Sequence, residues 1–216
     1  MLSFSKVVID PGHGYCDPSG KYDPGVMCGR LHEVSLIDEI VEELTAVFLA
    51  ENIPYDLLAT RKTPGMTPEV RGLLSAESAR TLQVSIHFGQ AKQMAHNGGH
   101  VYIKGPASHP LGPILGDLMT RWGQVTCKAY AGVKVCQARF EWLPPHDEEQ
   151  GIMGLQIEPF CLNGIDSIIY AARLRRLGSD IGENLVSYLR SQNPALGVKR
   201  TQIWGNGPDG REVFGG

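Results

Sequence analysis

The sequence predicts a single α/β domain with a central, mostly parallel but mixed sheet flanked by helices in three layers. Short apolar runs alternate along the chain with longer stretches of helical periodicity, the pattern of strands and helices taken in turn. Several runs, among them Val7-Val8-Ile9 and Ile152-Met153-Gly154-Leu155, are apolar at consecutive positions, as buried strands are. A length of 216 residues suffices for one full core and a short tail.

Six strands are predicted: Lys6 to Asp10, Tyr55 to Ala59, Leu82 to His87, Gly99 to Ile103, Val133 to Ala138 and Ile152 to Glu158. Four helices are expected between and after them: Val34 to Glu51, Pro68 to Ala79, His109 to Thr126 and Ser167 to Arg190. The first carries Leu36, Ile40, Leu44, Val47 and Phe48 on one face, the spacing of a helix packed on a sheet. The last shows a stripe of Ile168, Ile169, Ala172, Leu177, Ile181, Leu185 and Leu189, with Asp166 or Ser167 as its N-cap. Periodicity stops after Asn193-Pro194. Residues 1–193 are therefore assigned to the folded domain and 194–216 to a Gly-rich tail or arm.

Composition narrows the function classes. A net charge of −3 offers no basic footprint for nucleic acid or an anionic membrane. No apolar run approaches the roughly 20 residues that span a bilayer. The N-terminus enters a strand directly, without a charged segment followed by a long apolar core, so synthesis in the cytoplasm without a signal peptide is expected. Five scattered cysteines, with no Cys-x-x-Cys pair, argue against a disulfide framework or a structural zinc knot. A bond between Cys16 and Cys28, which share one Gly-rich loop, is the minority alternative. Nothing in the sequence sets an oligomeric state.

Four residues stand out by position. His13 follows the run Lys6 to Gly12, His87 ends Leu82 to Ile86, Glu158 ends Ile152 to Ile157, and Glu33 opens the first long helix. In open α/β sheets, sites gather at the carboxyl ends of strands. Two imidazoles and one carboxylate form a three-ligand zinc set with one position left for water, the layout of a catalytic zinc. A further carboxylate is then free to serve as general base. Rival readings exist: Glu33 as a carboxylate favoured by the helix dipole, with His32 as ligand in its place, and Glu158 as a buried structural group. His96 and His109 read as loop or surface residues, and His100 as lining a strand face. His146 reads as part of a solvated acidic loop, with a substrate contact or second metal as its alternative. Trp122, Trp142 and Cys161 read as packing.

The string Ile9-Asp10-Pro11-Gly12-His13-Gly14, Glu33 in Glu33-Val34-Ser35-Leu36, Ser85-Ile86-His87 and the late Glu158-Pro159-Phe160 with Asn163 occur here in one order. Together they resemble the zinc-dependent N-acetylmuramoyl-L-alanine amidases of the amidase-3 type, cell-wall hydrolases of bacteria and phage lysins. The resemblance covers roughly residues 5–191. It implies a zinc-hydrolase-like sandwich, Zn2+ held by His13, Glu33 and His87, and Glu158 as the catalytic carboxylate. Asp10, Arg71, Ser85 and Asn163 then support the site or touch substrate, with Arg71 alternatively a mere anchor between helix and loop. Asp23-Pro24-Gly25-Val26 looks like the family's Asp-Pro-Gly-Ala. Tyr15 and Phe88-Gly89 depart from the family pattern, beside two of the ligands.

The implied substrate is peptidoglycan, cut at the amide between the lactyl group of N-acetylmuramic acid and L-alanine; bordering a glycan groove is the alternative to packing for Trp142. With no export signal read and no wall-binding repeat, a phage or prophage endolysin that reaches the wall after release is the expected setting. A zinc peptidase or amidohydrolase acting on another substrate, or a wall-binding module without turnover, are the competing classes.

Overall fold

The computed structural model describes residues 4–58, 65–90, 96–106, 108–164 and 166–197. The chain opens with β1 (Lys6–Pro11), a small ribbon of β2 (Met27–Cys28) and β3 (Leu31–His32), and α1 (Glu33–Ala50). Then come β4 (Tyr55–Leu57), α2 (Pro68–Ser75), β5 (Thr81–Ile86), β6 (Gly99–Lys104) and α3 (Leu111–Thr126). The chain continues through β7 (Val133–Gln137), β8 (Met153–Glu158), α4 (Ser167–Ala171) and α5 (Leu174–Gln192). The main sheet has the order β4-β1-β5-β8-β6-β7. Pairings are parallel from β4 to β8 and between β6 and β7, while β6 runs antiparallel to β8.

Strand alternation splits this sheet into two unlike faces. Val7, Ile9, Leu82, Val84, Ile86, Val101, Ile103, Met153, Leu155 and Ile157 belong to one core cluster, shared with α1, α3 and α5. On α1, Leu36, Ile40, Leu44 and Phe48 are buried as their spacing predicts, with Ile37 and Val41 widening the stripe. The opposite face carries Asp10, Gln83, Ser85, Gln156 and Glu158. It is covered by α2, through Arg71, and by the segment 140–144, through bonds from Gln83 and Lys104 to the carbonyls of Trp142, Phe140 and Leu143.

Helix ends differ from the sequence expectation where local chemistry intervenes. Thr67 caps α2, accepting from the Val70 amide, and Pro68 follows at the first turn. This helix stops at Ser75 rather than Ala79, and Arg80, at φ 56°, turns the chain into β5. The expected last helix is broken at Arg173, whose φ of −129° is not helical. The break rotates the buried face: Tyr170 and Leu174 point inward, while Ile168 is 75% and Ile169 47% exposed. Asp166 sits at the N-cap of α4, but its carboxylate accepts from Asn97 and Cys127 instead of capping. Of the expected tail, Leu196 packs into the core. Residues 198–216 lie outside the described residues. The five cysteines are free thiols, with no Cys16–Cys28 bond. No described helix is long and apolar enough to cross a membrane.

Candidate metal centre and active site

The carboxyl ends of β1, β5 and β8 bring His13, His87 and Glu158 to one edge of the sheet. Because β6 runs the other way, its amino end meets the same edge, and His100 pairs in register with Glu158. A cavity of about 370 Å³ opens there, lined by His13, Glu33, His87, Arg71, Gln156 and Glu158 among others. A larger hollow of about 570 Å³ between α1, α3 and α5 is rimmed by arginines but has no comparable donor set. Two of its arginines are already paired, Arg175 with Glu42 and Glu43 and Arg176 with Asp180.

Glu33 is completely buried and held at both oxygens. Oε2 accepts from the Val26 amide at 2.7 Å and Oε1 from the Phe88 amide at 2.8 Å. Oε1 also faces His13 Nε2 at 3.2 Å and His87 Nδ1 at 3.5 Å. The donor atoms of these three residues lie within 4.8 Å of one another, the one such group of His, Cys, Asp or Glu among the described residues. The set fits a zinc ion: borderline-soft nitrogens and one hard oxygen converge, with room left on the cavity side. His32, the rival ligand, lies outside this group.

Backbone conformation serves the same end. His13 adopts φ 61°, a left-handed conformation uncommon outside glycine. A Cβ on Gly12 would overlap the His87 ring, and one on Gly25, itself at φ 67°, would come 2.7 Å from Glu33 Oε2. Both glycines therefore clear space for side chains of the candidate metal-holding group.

Electrostatics follow burial and partners. Burial opposes ionisation of Glu33, yet bonds from His13 and His87 outweigh it and hold its carboxyl far below the usual range. Burial lowers His87, which keeps this imidazole neutral as a ligand must be. Burial works against the His13 imidazolium too, but Glu33 and Asp23 prevail and raise its pKa. Cys161, beside Glu158, has its thiol pushed up to about 11 by burial and that carboxylate, which makes it inert packing.

Among the supporting residues, Asp10 is fully buried and accepts from Arg71 Nη2 at 2.5 Å, Ser85 Oγ at 2.7 Å and Gln83 Nε2 at 3.2 Å. Arg71 in turn reaches the cavity wall, with its guanidinium 5.1 Å from the centre of the Tyr15 ring. The departure at Tyr15 thus covers a buried cation. At the other departure, Phe88 packs on Phe160 at 4.8 Å, while Gly89 leaves room for Glu158. Asn163 lies in the turn after β8 and not among the cavity-lining residues. His109, expected in a loop or at the surface, is buried: its Nε2 meets the Tyr188 hydroxyl at 3.2 Å where the turn before α3 tucks against α5. His146 bonds the Ile152 carbonyl at 3.0 Å, away from the cavity.

Three further residues at this edge are not assigned to the site by the sequence, which places His100 only on a strand face. Asp23 accepts from His13 Nδ1 at 2.8 Å; its signal was the Asp23-Pro24-Gly25-Val26 string. Gln156 donates to Glu158 Oε1 at 2.7 Å, and His100 Nδ1 lies 3.5 Å from Glu158 Oε2. Alternation along β8 and β6 puts both on the site face, but the sequence does not say which strands are neighbours.

Solved structures share this fold. An N-acetylmuramoyl-L-alanine amidase from Clostridium difficile 630 superposes with a TM-score of 0.67 at 19% identity, covering 88% of this chain and 99% of that one. The amidase AmiC2 of Nostoc punctiforme gives 0.61 at 21% identity, over 86% and 95%. The catalytic domain of the CD27L endolysin, which targets Clostridia difficile, gives 0.62 at 16% identity, over 87% and 97%. No curated protein sequence matches. Residues 7–203 match the N-acetylmuramoyl-L-alanine amidase family, and the chain belongs to that family.

Proposed function

We infer that this amidase is zinc-dependent, that it cleaves the amide between N-acetylmuramic acid and L-alanine of peptidoglycan, and that it works as a phage or prophage lysin. The observation that carries the zinc reading is the convergence of His13, Glu33 and His87 on one point beside a cavity wall that bears Glu158. A zinc ion there supplies a Lewis acid, able to acidify a water and polarise a carbonyl. Glu158 takes the proton from the attacking water and delivers it to the leaving amine, a role that needs a carboxylate in reach of both. Asp23 fixes the tautomer of His13 by accepting its Nδ1 proton, so that Nε2 keeps its lone pair for the metal. Arg71, with Tyr15 over it, shapes the wall where the stem peptide or muramoyl group would lie.

Family membership supports the substrate, and likeness to an endolysin catalytic domain accompanies the lysin role. Product analysis on purified peptidoglycan tests the reading. An amidase frees L-alanine amino termini without new reducing sugar ends. New amino termini from other stem residues would favour a zinc peptidase, and intact walls with metal bound would favour a binding module.

A further inference from the structure

We propose that Gln156 and Trp142 form a positioning relay that orients the Glu158 carboxylate. The proposal rests on the assignment of Glu158 as the proton-transferring group, and deepens it. Gln156 is 2% exposed, and its side-chain amide lies between two partners. Trp142 Nε1 donates to Gln156 Oε1 at 2.7 Å, and Gln156 Nε2 donates to Glu158 Oε1 at 2.7 Å. A carboxamide can turn over with almost no change of shape, so what faces each end decides its orientation. An indole N–H only donates. Trp142 therefore demands the amide oxygen on its side and leaves the NH2 for Glu158. The flipped amide would set donor against donor at the indole and oxygen against a carboxylate at Glu158.

The far end of the relay is itself anchored. The Trp142 carbonyl accepts from Gln83 Nε2 at 3.0 Å, and the same nitrogen donates to Asp10, the partner of Arg71. The Trp142 ring stacks on Phe140 at 4.5 Å and 9°. Lys104 Nζ binds the carbonyls of Phe140 and Leu143 at 2.7 Å each. The loop that carries Trp142 is thus tied to β5 and β6, and through Gln156 it fixes one oxygen of Glu158. The other oxygen, Oε2, faces His100 at 3.5 Å in space that Gly89 leaves open. A general base aimed in this way holds its free oxygen in one direction, and misplacing such a group by about 1 Å can cost on the order of 100-fold in rate.

Gln156→Leu, Trp142→Phe and the double variant test the relay. For Gln156→Leu, kcat should fall by about 10- to 100-fold, with KM within about twofold and bound zinc unchanged. Trp142→Phe should cost less, because the amide still points correctly part of the time. If Trp142 acts through Gln156, the double variant is no slower than Gln156→Leu alone. Unchanged kcat in Gln156→Leu, or losses that multiply in the double variant, would overturn the relay. A second readout needs no turnover. Among the chain's three tryptophans, the indole N–H resonance of Trp142 is identified by its loss in Trp142→Phe, and it should move upfield in Gln156→Leu. An unmoved resonance overturns the relay whatever the activity. A shifted resonance with no amidase turnover in the parent protein supports the relay geometry and places the failure in the functional assignment.

Discussion

Asp23 and His13 meet at 2.8 Å through Nδ1, and that bond turns Nε2 of the same ring toward Glu33 Oε1, 3.2 Å away. Nine residues of loop, 14–22, separate the pair, so the bond also closes the loop over the site. Removing the carboxylate in Asp23→Ala frees both the ring orientation and the tautomer. Zinc affinity should drop by about 10- to 100-fold, the usual effect of losing a carboxylate behind a metal-bound histidine. Competition with a metal-sensitive dye measures it; unchanged affinity would make Asp23 a loop fastener only.

The proposed roles place Glu158 in the chemistry and outside the metal-holding group. Glu158→Gln keeps the shape of the side chain but cannot accept a proton. Zinc content should be retained while release of amino termini falls by at least about 100-fold, within the range for loss of general acid–base catalysis. Metal analysis beside a wall-clearing assay decides it, and undiminished clearing would remove Glu158 from the mechanism.

The Asp10–Arg71 pair is buried at both ends, with side-chain exposures of 0% and 1%. Arg71→Met keeps much of the stem but leaves the carboxylate without its charge partner. The expected cost is about 3–5 kcal/mol of folding stability, because an uncompensated buried charge remains. Replacing both residues with apolar ones of similar volume should recover most of it. Urea unfolding of the metal-loaded protein reads both effects, and a loss below about 1 kcal/mol for Arg71→Met would contradict a buried pair.

Metal removal should expose a pH dependence. In the metal-free protein, Glu33 and Asp23 raise the pKa of His13 above its ordinary 6.5. A raised folded-state pKa gives stability that is full below the unfolded value and fades as pH climbs through the folded one. Burial lowers the pKa of His87, His96 and His109, and their unfolded-state titration near 6.5 gives stability that rises with pH. The difference in melting temperature between chelated protein and its His13→Gln variant cancels those groups and should fall as pH rises from just above 6.5. Calorimetry across that window checks it, and a flat or rising profile would argue against the His13 ion pairs.

Much of the candidate site was legible because its residues sit at strand ends and a helix start, which hydrophobic periodicity marks. His13, His87, Glu33 and Glu158 each lie next to a run whose burial the sequence shows. Strand neighbours and directions are a different matter. Nothing in the run Gly99 to Lys104 says that β6 is antiparallel to β8, yet that reversal alone brings His100 to Glu158. Gln156 looks like one more residue of an apolar strand until Trp142, fourteen positions earlier, is placed across from it. The break at Arg173 was hidden because no Gly or Pro marks it, and the apolar Ile168 and Ile169 extended the periodicity past it. His109 reads as a loop residue by composition; its burial depends on how α5 crosses the turn before α3.

The most direct test of the account is turnover measured with metal content on one preparation. Purified peptidoglycan is incubated with the untreated protein, with protein stripped by chelator, and with stripped protein to which zinc is returned, and L-alanine amino termini are counted. Release should vanish with the metal and return with about one zinc per chain, as a single three-ligand site requires. Undiminished release from metal-free protein would contradict the assignment of His13, Glu33 and His87 as the centre of the chemistry.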